Sequence, residues 1–163
     1  MLENPAKEQF AELLEKDILL AGQLATILDQ EYQALSQNGL DELELIATHK
    51  KQVVEQIEAN TQARVQLLLL LKVKNTTQDI EALIASCHQP LRAQLTGNWQ
   101  KLKQILNGCY QQNQINGRII HISQQTTQQL LGVLYGKTSQ HKIYTPQGQL
   151  HNTQGSHYFD TST

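Results

Sequence analysis

Apolar residues recur near the start of the chain at Phe10, Leu14, Ile18, Ala21, Ala25, Leu28, Tyr32 and Leu35. Steps of three and four are the α-helical period, and a second row at Leu13, Leu20, Leu24, Ile27 and Ala34 widens the face. Asn4-Pro5 marks the start, since Asn caps a helix and Pro suits its first position. The pattern predicts a helix to about Gln37, closed by a left-handed cap at Asn38-Gly39. A second stripe follows at Leu43, Ile46, Val53, Ile57, Val65, Leu68 and Leu71, with Asp41 and Glu44 spaced as a capping box. Lys50 falls where this stripe needs an apolar residue. The second helix is expected to end near Lys74-Asn75 and to fold back on the first as an antiparallel hairpin.

Thr76 or Thr77 then caps a short helix carrying Ile80, Leu83 and Ile84, which must stop before Pro90. From Leu91 to about Gly136 no proline intervenes, and one long helix is predicted, bent or split if Gly108 or Gly117 breaks it. The residues beyond, 137–163, are rich in Gln, Thr, Ser, Gly and His and lose the period, so a flexible tail is expected there. The fold class is therefore all-α: a long hairpin, a short helix and a long C-terminal helix over residues 1–136, then the tail.

Composition supports that reading and narrows the function. Aromatic residues are 5% and charged residues 17% of the 163, and Gln supplies much of the polarity. The net charge of -2 argues against a dedicated nucleic-acid or anionic-membrane binder. Cys87 and Cys109 match no zinc spacing and read as reduced thiols. The longest apolar run, Leu67 to Leu71, is far too short to span a bilayer, and the first residues lack a signal-peptide pattern. A soluble cytoplasmic protein is expected. No His pair has metal-ligand spacing, no phosphate loop or nucleophile elbow occurs, and neither an enzyme nor a cofactor is expected. His49, followed by Lys50 and Lys51, is the candidate for a phosphotransfer site, because an ammonium would stabilise a phosphoryl group. Its flanks, Thr48 and Lys50, lack the small neighbour such a site wants.

The stretch from Gln104 to Gly136 carries one formal charge, Arg118. One stripe runs Leu102, Leu106, Cys109, Asn113, Asn116, Ile120, Ser123, Thr127, Leu130, Leu134, and another runs Ile105, Ile115, Ile119, Ile122, Thr126, Val133. Together they form a broader apolar arc than one hairpin needs. The spare face is either covered within the protein's own bundle or a homo-oligomer, or it receives an amphipathic helix from a partner. Asn and Ser in the seam suit a contact that releases, because polar seam positions lower stability while fixing register.

Asn113-Gln114-Ile115-Asn116-Gly117-Arg118-Ile119-Ile120, after a Leu/Gln/Glu-rich hairpin and before a tail with Tyr144-x-x-x-Gly148-Gln149, resembles the FlgN-type flagellar export chaperones. The resemblance implies a cytoplasmic chaperone that works without ATP. Its partners would be the hook-associated, or hook–filament junction, proteins, whose amphipathic C-terminal segments it keeps unassembled. By that resemblance Ile119, Ile122, Thr126, Leu130, Val133 and Leu134 bind the substrate, and Asn113, Asn116 and Gly117 form the family motif. Tyr144, with Gly148, would contact the cytoplasmic domain of the export-gate membrane protein. The family's tyrosine is commonly followed by Gly, whereas Thr145 and Pro146 stand here and hold the backbone extended. Two other readings are a structural coiled-coil adaptor acting through self-association and the phosphotransfer module at His49.

Overall fold

The computed structural model describes residues 5–134. They form four helices, α1 (Pro5–Gln37), α2 (Leu40–Leu70), α3 (Thr77–Ala85) and α4 (Leu91–Leu134), with no strand among the described residues. The protein is all-α. The chain divides into two compact units, Met1–His121 and Ile122–Thr163. The expected boundary after Gly136 lies outside the described residues.

In the first unit, α1 ends with Asn38 in the left-handed region at φ 54°. The Gly39 amide turns back to the Ala34 carbonyl at 3.0 Å. This is the six-to-one bond of a Schellman cap, and it is Asn38 rather than Gly39 that takes the left-handed conformation. The cap passes the chain straight into α2, whose first bond runs from the Leu43 amide to the Gly39 carbonyl at 3.1 Å. The start at Leu40 leaves Asp41 inside the first turn, so the expected capping box does not form and no side chain caps this helix. Asp41 and Glu42 instead lie by the positive end of the helix dipole.

α2 ends at Leu70, earlier than Lys74-Asn75. Lys72 adopts φ 58°. The Val73 amide bonds the Leu68 carbonyl at 2.9 Å, and the Lys72 amide bonds that of Leu69 at 3.0 Å. Val73 packs on the core in this geometry, so its burial outweighs continuing the helix to Lys74. Thr76 caps α3 by accepting a hydrogen bond from the Asp79 amide at 3.2 Å. The i, i+3, i+4 set Ile80, Leu83 and Ile84 is buried. The Gln89–Pro90 peptide is cis, and α4 begins at the following residue.

The core cluster joins Phe10, Leu14 and Ala21 of α1, Leu67 and Leu68 of α2, the α3 triplet, and Leu95, Trp99 and Leu102 of α4. Cross-contacts fix the directions. Asn60 reaches the Leu13 carbonyl and Lys50 reaches Glu31, so α2 runs antiparallel to α1. Gln94 reaches Glu15, and Asn116 reaches the Leu28 carbonyl, so α4 runs parallel to α1. α4 passes unbroken through Gly97, Gly108 and Gly117, at each of which an added Cβ would meet nothing within 4 Å.

Candidate functional site

Two features stand out where a function can be sought: polar joints inside the first unit and an exposed apolar surface in the second.

Lys50 is the centre of the first joint. Its Nζ donates to both Glu31 carboxylate oxygens, at 3.1 and 3.0 Å, and to Asn113 Oδ1 at 2.9 Å. Asn116, 1% exposed, donates through Nδ2 to Glu31 Oε2 at 2.7 Å and to the Leu28 carbonyl at 2.9 Å. Gln112 Nε2 donates to Asn116 Oδ1 at 3.0 Å. One carboxylate thus ties α1, α2 and α4 together. Asn113 and Asn116 face the bundle rather than a releasable seam, and Gly117 beside them is exposed. A second joint sits lower in the hairpin, where Asn60 Nδ2 donates to Asp17 Oδ1 at 2.6 Å and to the Leu13 carbonyl at 2.9 Å. Arg64 Nε lies 3.0 Å from Asp17 Oδ2.

At the α3–α4 contact, Lys103 Nζ donates to Glu81 Oε1 at 2.8 Å, and Trp99 Nε1 donates to the same oxygen at 3.3 Å. The Lys103 bond, seconded by Trp99, holds the Glu81 carboxyl below its usual range. Cys87 and Cys109 are free and buried, and burial pushes the Cys109 thiol up.

His49 is exposed. It lies where two cavities of about 420 and 340 Å³ adjoin between α1 and α2, lined by glutamines over Ile27, Ile46 and Val53. Lys50 cannot serve it as a free ammonium, because the Glu31 pair turns that side chain into the bundle. Lys51 lies 4.0 Å from Glu55. Among the described residues no group of three or more His, Cys, Asp or Glu could hold a metal ion.

The second unit, in its described part, is the end of α4. From Ile122 to Leu134 there is no charged side chain and none that is buried. Ile122 is 62% exposed, Leu130 60%, Val133 79% and Leu134 79%. Ile122, Thr126, Leu130 and Leu134 recur every fourth residue, so they share a helical face. Thr126 and Thr127 donate their hydroxyls to the Ile122 and Ser123 carbonyls, each at 3.0 Å. Ile119 belongs to the first unit and is half-buried. Tyr144 and Gly148 lie outside the described residues.

The sequence profile of the FlgN protein family matches residues 1–152. The chain belongs to the FlgN family. A solved structure of a protein described as flagella synthesis protein FlgN, from Pseudomonas aeruginosa, is similar to this FlgN-family chain. The two are 29% identical, with a TM-score of 0.64 over 82% of this chain and 99% of the other. No curated protein sequence matches significantly. In this FlgN-family member Asn113 and Asn116 fix α4 against the hairpin. The sequence pattern missed Glu31 and Asp17 as joint residues. Their only signal was acidic residues on the apolar side of α1. No helix among the described residues is long and apolar enough to cross a membrane.

Proposed function

We propose that this FlgN-family chain serves flagellar assembly as a cytoplasmic export chaperone. It holds the amphipathic C-terminal segments of hook–filament junction proteins on the last turns of α4 and brings them to the export gate. The observation that carries the reading is the uncharged, fully helical Ile122–Leu134 surface, with Leu130, Val133 and Leu134 each at least 60% exposed. An apolar helical stripe left in water is the form in which one amphipathic helix receives another. Burying each Leu or Val contributes about 1.5–3 kcal/mol gross. Ordering and association offset most of it, which suits a grip that must later release its cargo. The cargo contact falls on Ile122, Thr126, Leu130, Val133 and Leu134; Ile119, already half-buried, lies outside it. The flagellar assignment is supported by the family and by the name of the similar Pseudomonas protein.

The test is calorimetric titration of the full chain with the C-terminal segment of a junction protein. Saturable binding is expected in the wild type and its loss in Leu130→Asp/Leu134→Asp, with helicity unchanged by circular dichroism. Equal affinity in the double variant would remove this surface from the reading. The tail tyrosine is tested separately: Tyr144→Ala should leave cargo affinity intact and impair capture by the export-gate cytoplasmic domain. Loss of cargo binding in Tyr144→Ala would make the tail part of the grip.

A further inference from the structure

The cleft between α3 and the start of α4 is independent of the cargo reading. It encloses about 250 Å³, with Ile84, Ala85 and Trp99 as apolar walls and Glu81 and Arg92 beside them. Ile84 and Trp99 belong to the core cluster, so these walls are fixed by packing. The two charged residues differ in what they offer. The Glu81 carboxylate is already matched, since Lys103 Nζ and Trp99 Nε1 both donate to its Oε1. Arg92 is held but not matched. Its Nε donates to the Cys87 carbonyl at 2.8 Å. Among the described residues no carboxylate pairs with it. α4 has no acidic residue in its first turn, so the positive end of its dipole adds to the Arg92 charge.

We infer that this cleft captures the C-terminal residue of a partner polypeptide, one that ends in Leu, Ile, Met or Phe. The apolar side chain enters against Ile84 and Trp99, and the α-carboxylate pairs with the Arg92 guanidinium. Volume sets the size of the occupant: pockets for drug-sized ligands begin at about 300 Å³. A cleft of about 250 Å³ suits one large side chain. Charge sets the sign, because Arg92 is the cation left over once Lys103 has matched Glu81. The tether sets the geometry: with Nε on the Cys87 carbonyl, the guanidinium is anchored and its two Nη groups remain for charge-assisted bonds to a carboxylate. A chain terminus fits better than an internal Asp or Glu. Its carboxylate and its side chain spring from one Cα, so both reach a cleft of this size together, whereas an internal acid brings its charge on a different residue from the apolar one.

Trp99, the chain's single tryptophan, lines the cleft and reports its occupancy. The full chain is titrated with acetyl-Gly-Ser-Gly-Leu bearing a free C-terminus, followed by Trp99 fluorescence and by calorimetry. Saturable binding is expected. The C-terminal amide of the same peptide, and the free acid ending in Ser, should each bind about tenfold more weakly or worse. Arg92→Gln should weaken the free acid about tenfold and leave the amide within about twofold, a split that mere loosening of the fold would not give. Ala85→Phe, at an exposed position lining the cleft, fills it and should abolish binding with helicity unchanged by circular dichroism. That variant keeps the test decisive where Arg92→Gln fails to fold. No binding of the free acid, equal affinity for acid and amide, or wild-type binding by Ala85→Phe overturns the inference. So does equal affinity for acetyl-Leu-Asp-Gly-Ser-amide, which would show that an internal acid suffices. Leu130→Asp/Leu134→Asp should bind the free acid as the wild type does; loss of binding would place the peptide on the end of α4 and overturn the assignment to this cleft.

Discussion

Lys50 occupies a position where the period of α2 asks for an apolar side chain, and it bonds to Glu31 and Asn113 instead. The pair is only partly in water, with side-chain exposures of 26% and 11%. Removing one partner leaves a poorly solvated charge, whereas removing both leaves none. Lys50→Met alone should therefore destabilise, by less than the roughly 3–5 kcal/mol of a fully buried pair. Glu31→Met/Lys50→Met should lie nearer the wild type than either single variant in a urea-denaturation cycle. Additive losses would show that the two charges act independently. Asn116→Ala, which removes the side-chain bond to the Leu28 carbonyl and one Glu31 contact, should cost about 1–3 kcal/mol in the same assay. Glu81 offers a pH readout, because Trp99 is the chain's single tryptophan and bonds its carboxylate. Its folded pKa is lowered from 4.5. The contact is then fully formed above that value and is lost as pH falls through the lower folded one. Trp99 fluorescence should titrate with a midpoint below 4.5, and Glu81→Gln should abolish the transition.

At the scale of the helix, what the period reveals and what it hides follow from the physics of each position. The starts of α1 and α3, their stop signals and the presence of a long helix after Pro90 were legible, because capping residues and a long apolar repeat act locally; whether Gly108 or Gly117 breaks that helix was not, since an isolated glycine reads alike in a straight and a split helix. The end of α2 was not, because Val73 leaves the helix to reach the core, a tertiary preference absent from the local pattern. Nor were the polar joints: Glu31 and Asp17 fall on the apolar side of α1, but their partners stand on other helices and the period of one helix does not identify them. The Asn113–Asn116 spacing was visible, but its direction was not. Gly108 gives a test on α4: its surroundings are open, so Gly108→Ala removes a backbone-entropy cost without a clash. Thermal unfolding should show a gain of about 0.5–1 kcal/mol. No gain would mean that the glycine relieves a bend in α4 that an alanine would oppose.

At the scale of the molecule, the buried polar joints and the exposed apolar surface belong to different compact units, and their roles should separate in experiment. The first unit spends its polar residues on register: Asn116 and Lys50 hold α4 against the hairpin, while Asn60 and Arg64 hold α2 on α1. None of these side chains lies in Ile122–Leu134, where the proposed cargo contact is uncharged and exposed. Asn116→Ala should therefore lower the unfolding midpoint and leave affinity for a junction-protein segment within about twofold of the wild type, since distant sites without shared partners act nearly independently. Leu130→Asp/Leu134→Asp should do the reverse, abolishing binding while barely moving the midpoint, because neither leucine contributes to the core. Denaturation and calorimetry on the same two preparations decide the matter. If Asn116→Ala weakened cargo binding as much as the leucine variant at a temperature where it remains folded, the register joint would be part of the grip. Asn116 would then act in recognition as well as in holding the bundle.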